Sequence, residues 1–532
     1  MAAVLVCFTL AFQAQAQAKY DKMIAAAEAA YKSGDYKKAI ASLAKFQKKA
    51  SGKLGKTNKY TPAYHMMLAK YSLASGLVSD FEKNLDEALR TSASIHGENT
   101  LAHFLKLLEA AELYNLSGSH LNARQTLDQA KRIGEANGQL TEVQNARWDL
   151  AYAETLTGQG YYTQAIDRLS EREKFYVGRA VKQETYVDNN GGLKTRKLSE
   201  EEAKARFEDY ARFLTLMTKA LGKRGSQTAA DSVYIFAEPW TKNKLGKFNM
   251  NNITLRLEMA KILIGHGTSL SRELDPADIL NDLKAEYKTS HYISIELYEL
   301  YLAQLLKAGN QSKYLNIKLE YEKMMKAAFP DKSIYNVRVK AVEFDSKLSR
   351  EKTKDLENDA IKLLTGSQSL PKNSLLTAEV YEFLYGLSVY DKKYAKAEEY
   401  RKQITDIKTT LLGADAPETH LARIKTANYL LDFTNKISDA GKIYEESYIN
   451  IVAPQIGPWQ KDHLEILNHL AMYYELTDRY REATETLEKA KFVANAKYSN
   501  KDYEYATEMT NIAKLQIKKG QYEKAEENLG AA

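Results

Sequence analysis

The stretch "HLEILNHLAMYYELTDRYREATETLEKAKFV" at 463–493, with "YEYATEMTNIAKLQIKKGQYEKAEENL" at 503–529, decides the fold. One pattern runs through it twice. A small residue, Ala471 or Ala513, precedes a turn by about two helical turns. Then come Asp478, Tyr480 and Ala483 in the first copy and Gly520, Tyr522 and Ala525 in the second. Ala483 and Ala525 stand 42 residues apart (525 − 483). A fixed period of this size marks a stacked array of helix pairs. Two helices that cross closely need Ala, Gly or Ser at the crossing. The tyrosine after the turn is expected to fill space between helices, and the alanine three later to admit the next helix. A pair alone cannot bury both faces, so its neighbours complete the core. Coupling through neighbours alone predicts unfolding less cooperative than that of a globular domain of this size.

The anchor recurs elsewhere. "GDYKKA" supplies Gly34, Tyr36 and Ala39, and "SDFEKN" supplies Phe81 and Asn84. "GSHLNA" supplies Gly118, His120 and Ala123, and "GYYTQA" supplies Gly160, Tyr162 and Ala165. "KKYAKA" gives Tyr394 and Ala397, and "NKISDA" gives Ile437 and Ala440. Last-position spacings are 45, 39 and 42 from Ala39 to Ala165, then 43, 43 and 42 from Ala397 to Ala525. The chain therefore resembles the tetratricopeptide repeat family, in its longer kinesin-light-chain-like form. "HGENTLAHFLKLLEAAELY" at 96–114 and "LLGADAPETHLARIKTANYLL" at 411–431 look like that subtype's acidic, Pro- or His-bearing linker entering a first helix. The clear matches cover 20–170 and 380–530, and the middle diverges. The resemblance implies an all-α solenoid, a right-handed superhelix of about twelve antiparallel helix pairs.

Composition agrees with that class. Of 532 residues, 27% are charged and 44% hydrophobic. The 8 prolines can all sit at helix ends, where proline is tolerated. The 36 tyrosines read first as repeat packing, and otherwise as an aromatic binding surface. Net charge is +7, with acidic and basic residues interleaved as on solvated helix faces. That pattern lacks the concentrated basic stripe of a nucleic-acid binder. The lysines between Lys45 and Lys59 could meet an anionic membrane or glycan, so membrane contact is expected to be peripheral at most.

Segments 1–18, 19–178, 179–198, 199–372 and 373–532 read differently. The first, "MAAVLVCFTLAFQAQAQA", has an apolar core and ends in Ala14-Gln15-Ala16, which reads as a secretory signal peptide. Its apolar run is too short to span a bilayer. Cys7 is the sole cysteine and lies within it. A mature chain would have no disulfide and no thiol nucleophile. An exported chain of this kind is similar to Bacteroidetes envelope proteins, implying a bacterial periplasmic or envelope location. Residues 19–178 and 373–532 are the two clear arrays, and 199–372 holds divergent pairs. The second array breaks off inside a second helix, which suggests a longer protein. "AVKQETYVDNNGGLKTRKL" at 180–198 reads as a short β-hairpin or a mobile loop, from its Asn-Gly turn signal near 181–198. Ser199 with Glu202 forms a capping box for the helix that follows.

No catalytic, metal or cofactor constellation stands out. The 9 histidines are scattered without a His-Glu-x-x-His, and His463 and His469 are too far apart to share a helix face. Gly265-x-Gly267 lacks the strand and further residues of a phosphate loop. Ser367 lacks the second glycine of a nucleophile elbow. Repeat arrays of this type offer a groove lined by the first helix of each pair. Asn468 and Asn511 precede the small crossing residue by three and two positions and resemble the groove asparagines of kinesin-light-chain-like repeats. They are the candidate peptide-binding residues, although an asparagine can equally bond between neighbouring helices. The leading expectation is an exported, non-enzymatic scaffold for a protein or peptide partner. One alternative is the recognition part of a larger enzyme, such as a caspase-like protease, with catalysis beyond residue 532. The other is a glycan-binding protein resembling the SusD-like family.

Overall fold

Turn residues in the left-handed region define the helix pairs. Gly34, Gly118, Gly160 and Gly520 have φ of 85°, 82°, 93° and 71°. Lys392 and Asp478 adopt 58° at equivalent places, which costs a residue with a side chain roughly 1 kcal/mol. The computed structural model describes residues 19–55, 57–138, 140–187, 193–266, 270–287, 291–330, 333–335, 338, 353–365, 370–497 and 503–532. The signal-like segment 1–18, the Asn-Gly turn at 188–192, Gly267 and Ser367 lie outside the described residues.

The chain divides into two compact units, each drawn from two separated stretches. The first holds Met1–Ala151 and Asp275–Lys372, the second Tyr152–Leu274 and Asn373–Ala532. In the first stand α1 (19–32), α2 (Tyr36–Leu54), α3 (Thr61–Ala74), α4 (Val78–His96), α5 (Leu101–Ser117) and α6 (His120–Ala136). The start of α7 (Glu142–Gln159) follows, and its end belongs to the second unit. The second continues with α8 (Tyr162–Arg179), β1 (Gln183–Val187), β2 (Leu193–Lys197), α9 (Glu200–Arg224), α10 (Gln227–Leu245) and α11 (Met250–Gly265). The first resumes with α12 (Pro276–Glu286), α13 (Tyr292–Lys307), α14 (Gln311–Ala328) and α15 (Thr353–Thr365). The second closes with α16 (Leu375–Tyr390), α17 (Tyr394–Leu412), α18 (Pro417–Phe433), α19 (Ile437–Ile443), α20 (His463–Leu476), α21 (Tyr480–Lys497), α22 (Tyr503–Lys518) and α23 (Tyr522–Ala531). The fold is all-α and built of antiparallel helix pairs, the class that was expected.

The small crossing residues are where the repeat needs them. Ala39, Ala123, Ala165, Ala397, Ala440, Ala483 and Ala525 are all buried. Asn84 takes that position in α4 and its carboxamide oxygen lies 3.0 Å from His65 Nδ1, so a polar contact replaces the close approach. The β-hairpin is present. Its strands pair antiparallel from Gln183 opposite Lys197 to Val187 opposite Leu193. Arg196 bridges Glu184 and Glu202, and Arg206 also pairs with Glu184, fixing the hairpin base to α9. The capping box forms: Glu202 N–H donates to Ser199 Oγ at 3.1 Å, and Ser199 N–H to Glu202 Oε2 at 2.9 Å.

Three expectations are corrected. Pro239 lies inside α10 and not at a helix end. The post-turn tyrosines do not share one role: Tyr36 and Tyr162 are buried, while Tyr394, Tyr480 and Tyr522 are exposed. The buried ones are covered by chain segments far away in sequence. In the first unit, Tyr292 N–H donates to Tyr36 Oη at 2.8 Å, across 256 residues. Lys37 Nζ donates to Ala327 O at 2.8 Å, and Ile334 N–H to Gly76 O at 3.0 Å. In the second, Gln159 Nε2 donates to Leu412 O at 2.6 Å and Tyr161 Oη to Asp415 O at 2.8 Å. Tyr162 Oη donates to Glu418 Oε1 at 2.7 Å, and Gly457 N–H to Arg224 O at 2.5 Å. Burial opposes charge on Glu418, but Lys408, Lys223 and the Tyr162 hydroxyl outweigh it and hold its pKa at about 2. Coupling is thus not confined to adjacent pairs. Contacts of this range tie remote pairs of one unit together, so each unit is expected to unfold more cooperatively than a one-dimensional array.

Candidate functional site

Helices α18, α20 and α22 are the first helices of successive pairs. Each carries a polar pair in which a residue of one helix can meet its counterpart on the next. Asn428 of α18 donates through Nδ2 to Glu465 Oε1 of α20 at 2.9 Å. Asn468 of α20 donates through Nδ2 to Glu508 Oε1 of α22 at 2.5 Å. The interhelical asparagine bond expected as the structural alternative is therefore present at Asn468. It uses one end of the carboxamide.

The two rungs differ at the other end. Tyr444 Oη donates to Asn428 Oδ1 at 2.7 Å, completing the first rung. Tyr444 opens a π-helical stretch, Tyr444–Val452, that continues α19, and such stretches re-aim side chains within a helix. Four residues after the buried alanine, Ala440 is followed by Tyr444, and Ala483 by Leu487. At the second rung a leucine thus stands where the first has the tyrosine hydroxyl. Asn468 Oδ1 and Glu508 Oε2 are buried with no hydrogen-bond partner among the described residues. Burial, partly offset by the Asn468 bond, raises the Glu508 carboxyl above the ordinary carboxylate range. A buried acceptor left without a donor costs about 1–3 kcal/mol.

The same place is hollow. A cavity of about 500 Å³ is lined by Asn468, Asn511, Met472, Leu487 and Ile517, among others. The two asparagines singled out from sequence are thus brought to one cavity. Asn511 makes no side-chain hydrogen bond among the described residues. Lys514 joins the lining, as do Lys518 and Glu475, which pair with each other. His469 completes the rim. Its Nδ1 is 2.9 Å from Glu465 O and its Nε2 3.1 Å from Asp432 Oδ2. Burial disfavours its charge, but these two acceptors prevail and raise its pKa above the ordinary histidine value. The floor is apolar and the rim offers amide, ammonium and carboxylate groups. That combination suits an apolar side chain with polypeptide backbone on either side.

Sequence reading missed Asn428, Tyr444, Leu487 and Glu508. The signal was available: aligning the repeats on Ala440 and Ala483 sets Tyr444 against Leu487 and exposes the missing hydroxyl. The other candidates do not line this cavity. His463 Nδ1 is 3.0 Å from Gly457 O, and Lys45, Lys48 and Lys49 are exposed on α2. Among the described residues, no three or more His, Cys, Asp or Glu side chains form a group able to hold a metal ion. No described helix is long and apolar enough to cross a membrane.

No family model matches the chain, and no curated protein matches it in sequence. Solved structures similar to the chain include the Cut9–Hcn1 hetero-tetramer of the APC/C, at 14% identity and TM-score 0.37, covering 96% of this chain and 86% of that one. A human IFIT1 dimer with m7Gppp-AAAA is similar at 11% identity and TM-score 0.33, over 94% and 87% of the two chains. The P58(IPK) TPR domain is similar at 12% identity and TM-score 0.22, over 94% and 99%.

Proposed function

We propose that the chain is a non-catalytic binding scaffold whose second unit holds an extended polypeptide segment between α20 and α22. The observation that carries this reading is the unpartnered Asn468 Oδ1 beside an apolar floor, where the preceding repeat closes itself with Tyr444. A backbone N–H of the guest satisfies Asn468, its carbonyl accepts from Asn511, and one apolar side chain enters the cavity. The reading extends to an exported scaffold of the bacterial periplasm or envelope. Its support is the apolar segment ending in Ala14-Gln15-Ala16. Fusing residues 1–18 to a reporter that is active only after export tests that part, and a silent reporter overturns it.

The binding test starts with peptides selected on the full chain from a random display library. Affinity is read by fluorescence anisotropy. Asn468→Ala and Asn511→Ala should each weaken a selected peptide on the order of tenfold, about 1.4 kcal/mol. Selected peptides indifferent to both substitutions, or an oligoribonucleotide that displaces them with comparable affinity, would overturn the reading.

A further inference from the structure

Four turns between paired helices are covered by later connections of their own unit. A Cβ on Gly34 would stand 2.9 Å from His291 N, one on Gly76 2.5 Å from Ser333 Oγ, and one on Gly160 2.9 Å from Glu418 N. One on Gly225 would collide with Gln460 N. Over Gly34 and Gly225 the covering element is the connection that leads into α13 and α20, and over Gly160 it is the first turn of α18. The associated Tyr36 and Tyr162 are 2% exposed.

The turns of α16/α17, α20/α21 and α22/α23 have the same left-handed residue, at Lys392, Asp478 and Gly520. They are bare. A Cβ on Gly520 would meet nothing within 4 Å. Tyr390 is 72% exposed, Tyr394 and Tyr480 are 38%, and Tyr522 is 68%. Much of the basic charge at these turns is matched by carboxylates beside it, as Lys393 pairs with Asp391, Arg479 with Glu445 and Glu482, Arg481 with Glu485, and Lys518 with Glu475; Lys519, at the α22/α23 turn, donates to Thr484 Oγ1.

The complementary half is also on the chain. The connection that covers Gly160 begins at Gly413, with φ 102° and ψ 152°, and is acidic through Asp415 and Glu418. Gly97 begins a connection of similar course, with φ 91° and ψ 141°, and Gly246 another, with φ 98° and ψ 152°. A Cβ on Gly246 would meet nothing within 4 Å, and one on Gly97 would meet just its neighbour Thr100. Of these two, the Gly97 connection is the acidic one, through Glu98, while Gly246 is followed by Lys247.

We infer that the bare turns of α20/α21 and α22/α23 bind the Gly97–Leu101 connection of a second copy of this chain. The contact sets the start of α5 on a bare turn as Pro417–Glu418 are set on Gly160 within one molecule, with Glu98, nearer the glycine than Glu418 is to Gly413, as its acid. Exposed tyrosines close over the incoming helix start, and Glu98 faces Lys519 of the α22/α23 turn. The two surfaces differ, so the interface is heterologous and adds copies head to tail.

Analytical ultracentrifugation of the full chain tests this. The weight-average mass should rise with concentration and pass that of a dimer. A variant with blocked turns, Tyr480→Glu with Tyr522→Glu, and a variant with a blocked connection, Glu98→Lys, should each sediment as monomers. All three positions are exposed, and circular dichroism confirms that each variant is folded. The blocked-turn variant keeps its connection, and the other keeps its turns. An equimolar mixture should therefore give a discrete one-to-one dimer. A wild-type protein that stays monomeric at the highest soluble concentration, an association that stops at the dimer, or a mixture that stays monomeric would each overturn the inference.

Discussion

Replacing Leu487 by tyrosine should close the cavity that the second unit leaves open. The repeat supplies the template, because Tyr444 occupies the equivalent position after Ala440 and reaches Asn428 Oδ1 at 2.7 Å. In Leu487→Tyr the new hydroxyl has Asn468 Oδ1 as a waiting acceptor. A net hydrogen bond of this kind contributes about 1 kcal/mol, and relief of a stranded acceptor brings up to 1–3 kcal/mol. The cavity of about 500 Å³ leaves room for the larger ring without overpacking. The expected sum is about 1–2 kcal/mol of stabilisation, or a rise in Tm of roughly 2–8 °C for a unit of this size. Leu487→Phe is the control, since it fills the space without the donor. Urea denaturation should place the tyrosine variant about 1 kcal/mol above the phenylalanine variant. Peptides selected on the wild type should lose binding to the tyrosine variant. If tyrosine and phenylalanine are equally stable, the hydrogen-bond argument fails. If the tyrosine variant binds peptide with wild-type affinity, the guest does not occupy this cavity.

Ala483→Leu should cost about 1–3 kcal/mol, because a fully buried crossing leaves no room for three added carbons; unchanged thermal melting would refute the register of the final pairs. Burial holds His291 in the first unit at a pKa of about 4, and its Nδ1 accepts from Ile293 N–H at 3.3 Å as a helix cap. Since the folded value is depressed, the unfolded chain takes up the proton first, and stability should fall as pH drops from 6.5 towards 4, by about 3 kcal/mol. Urea titrations across that range should show the slope in wild type and a reduced slope in His291→Asn, which keeps a capping side chain. Glu418 is also depressed, to about 2, so its contribution is present above the unfolded value near 4.3 and fades as pH falls below it. Glu418→Gln should cost the second unit about 3 kcal/mol at pH 7 and should flatten its acid limb below pH 4; an unchanged acid limb would show that the Tyr162 and Lys408 contacts do not hold the charge.

What the sequence displayed was its local period. Ala39, Ala165 and Ala483 announce close crossings because the requirement for a small side chain lies within one pair. Ser199 and Glu202 announce a cap for the same reason, and the Asn-Gly signal announced the hairpin. Asn468 and Asn511 were expected on one face from their distance to Ala471 and Ala513, and both line one cavity. What decides their environment was not local. Leu487 reads as ordinary core until it is set beside Tyr444 one repeat earlier. The contrast between Tyr162, covered by Glu418, and Tyr480, left bare, depends on whether a later connection folds back onto that turn. Nothing within either motif records it, since the partner of Tyr36 lies 256 residues further on.

The interleaving of the two units has a consequence for how the protein is made. The first unit uses Met1–Ala151 and then waits for Asp275–Lys372, while the ribosome is producing a stretch that belongs to the second. Tyr36 emerges 256 residues before Tyr292, an interval of roughly 13–50 s at ordinary elongation rates of 5–20 residues per second. During that time the turn at Gly34 and its tyrosine ring are bare. The second unit in turn waits for Asn373–Ala532. Neither unit can be released whole by a single cut, and a nascent chain halted in the middle carries two half-built units, each presenting to chaperones the surfaces that its later half would cover.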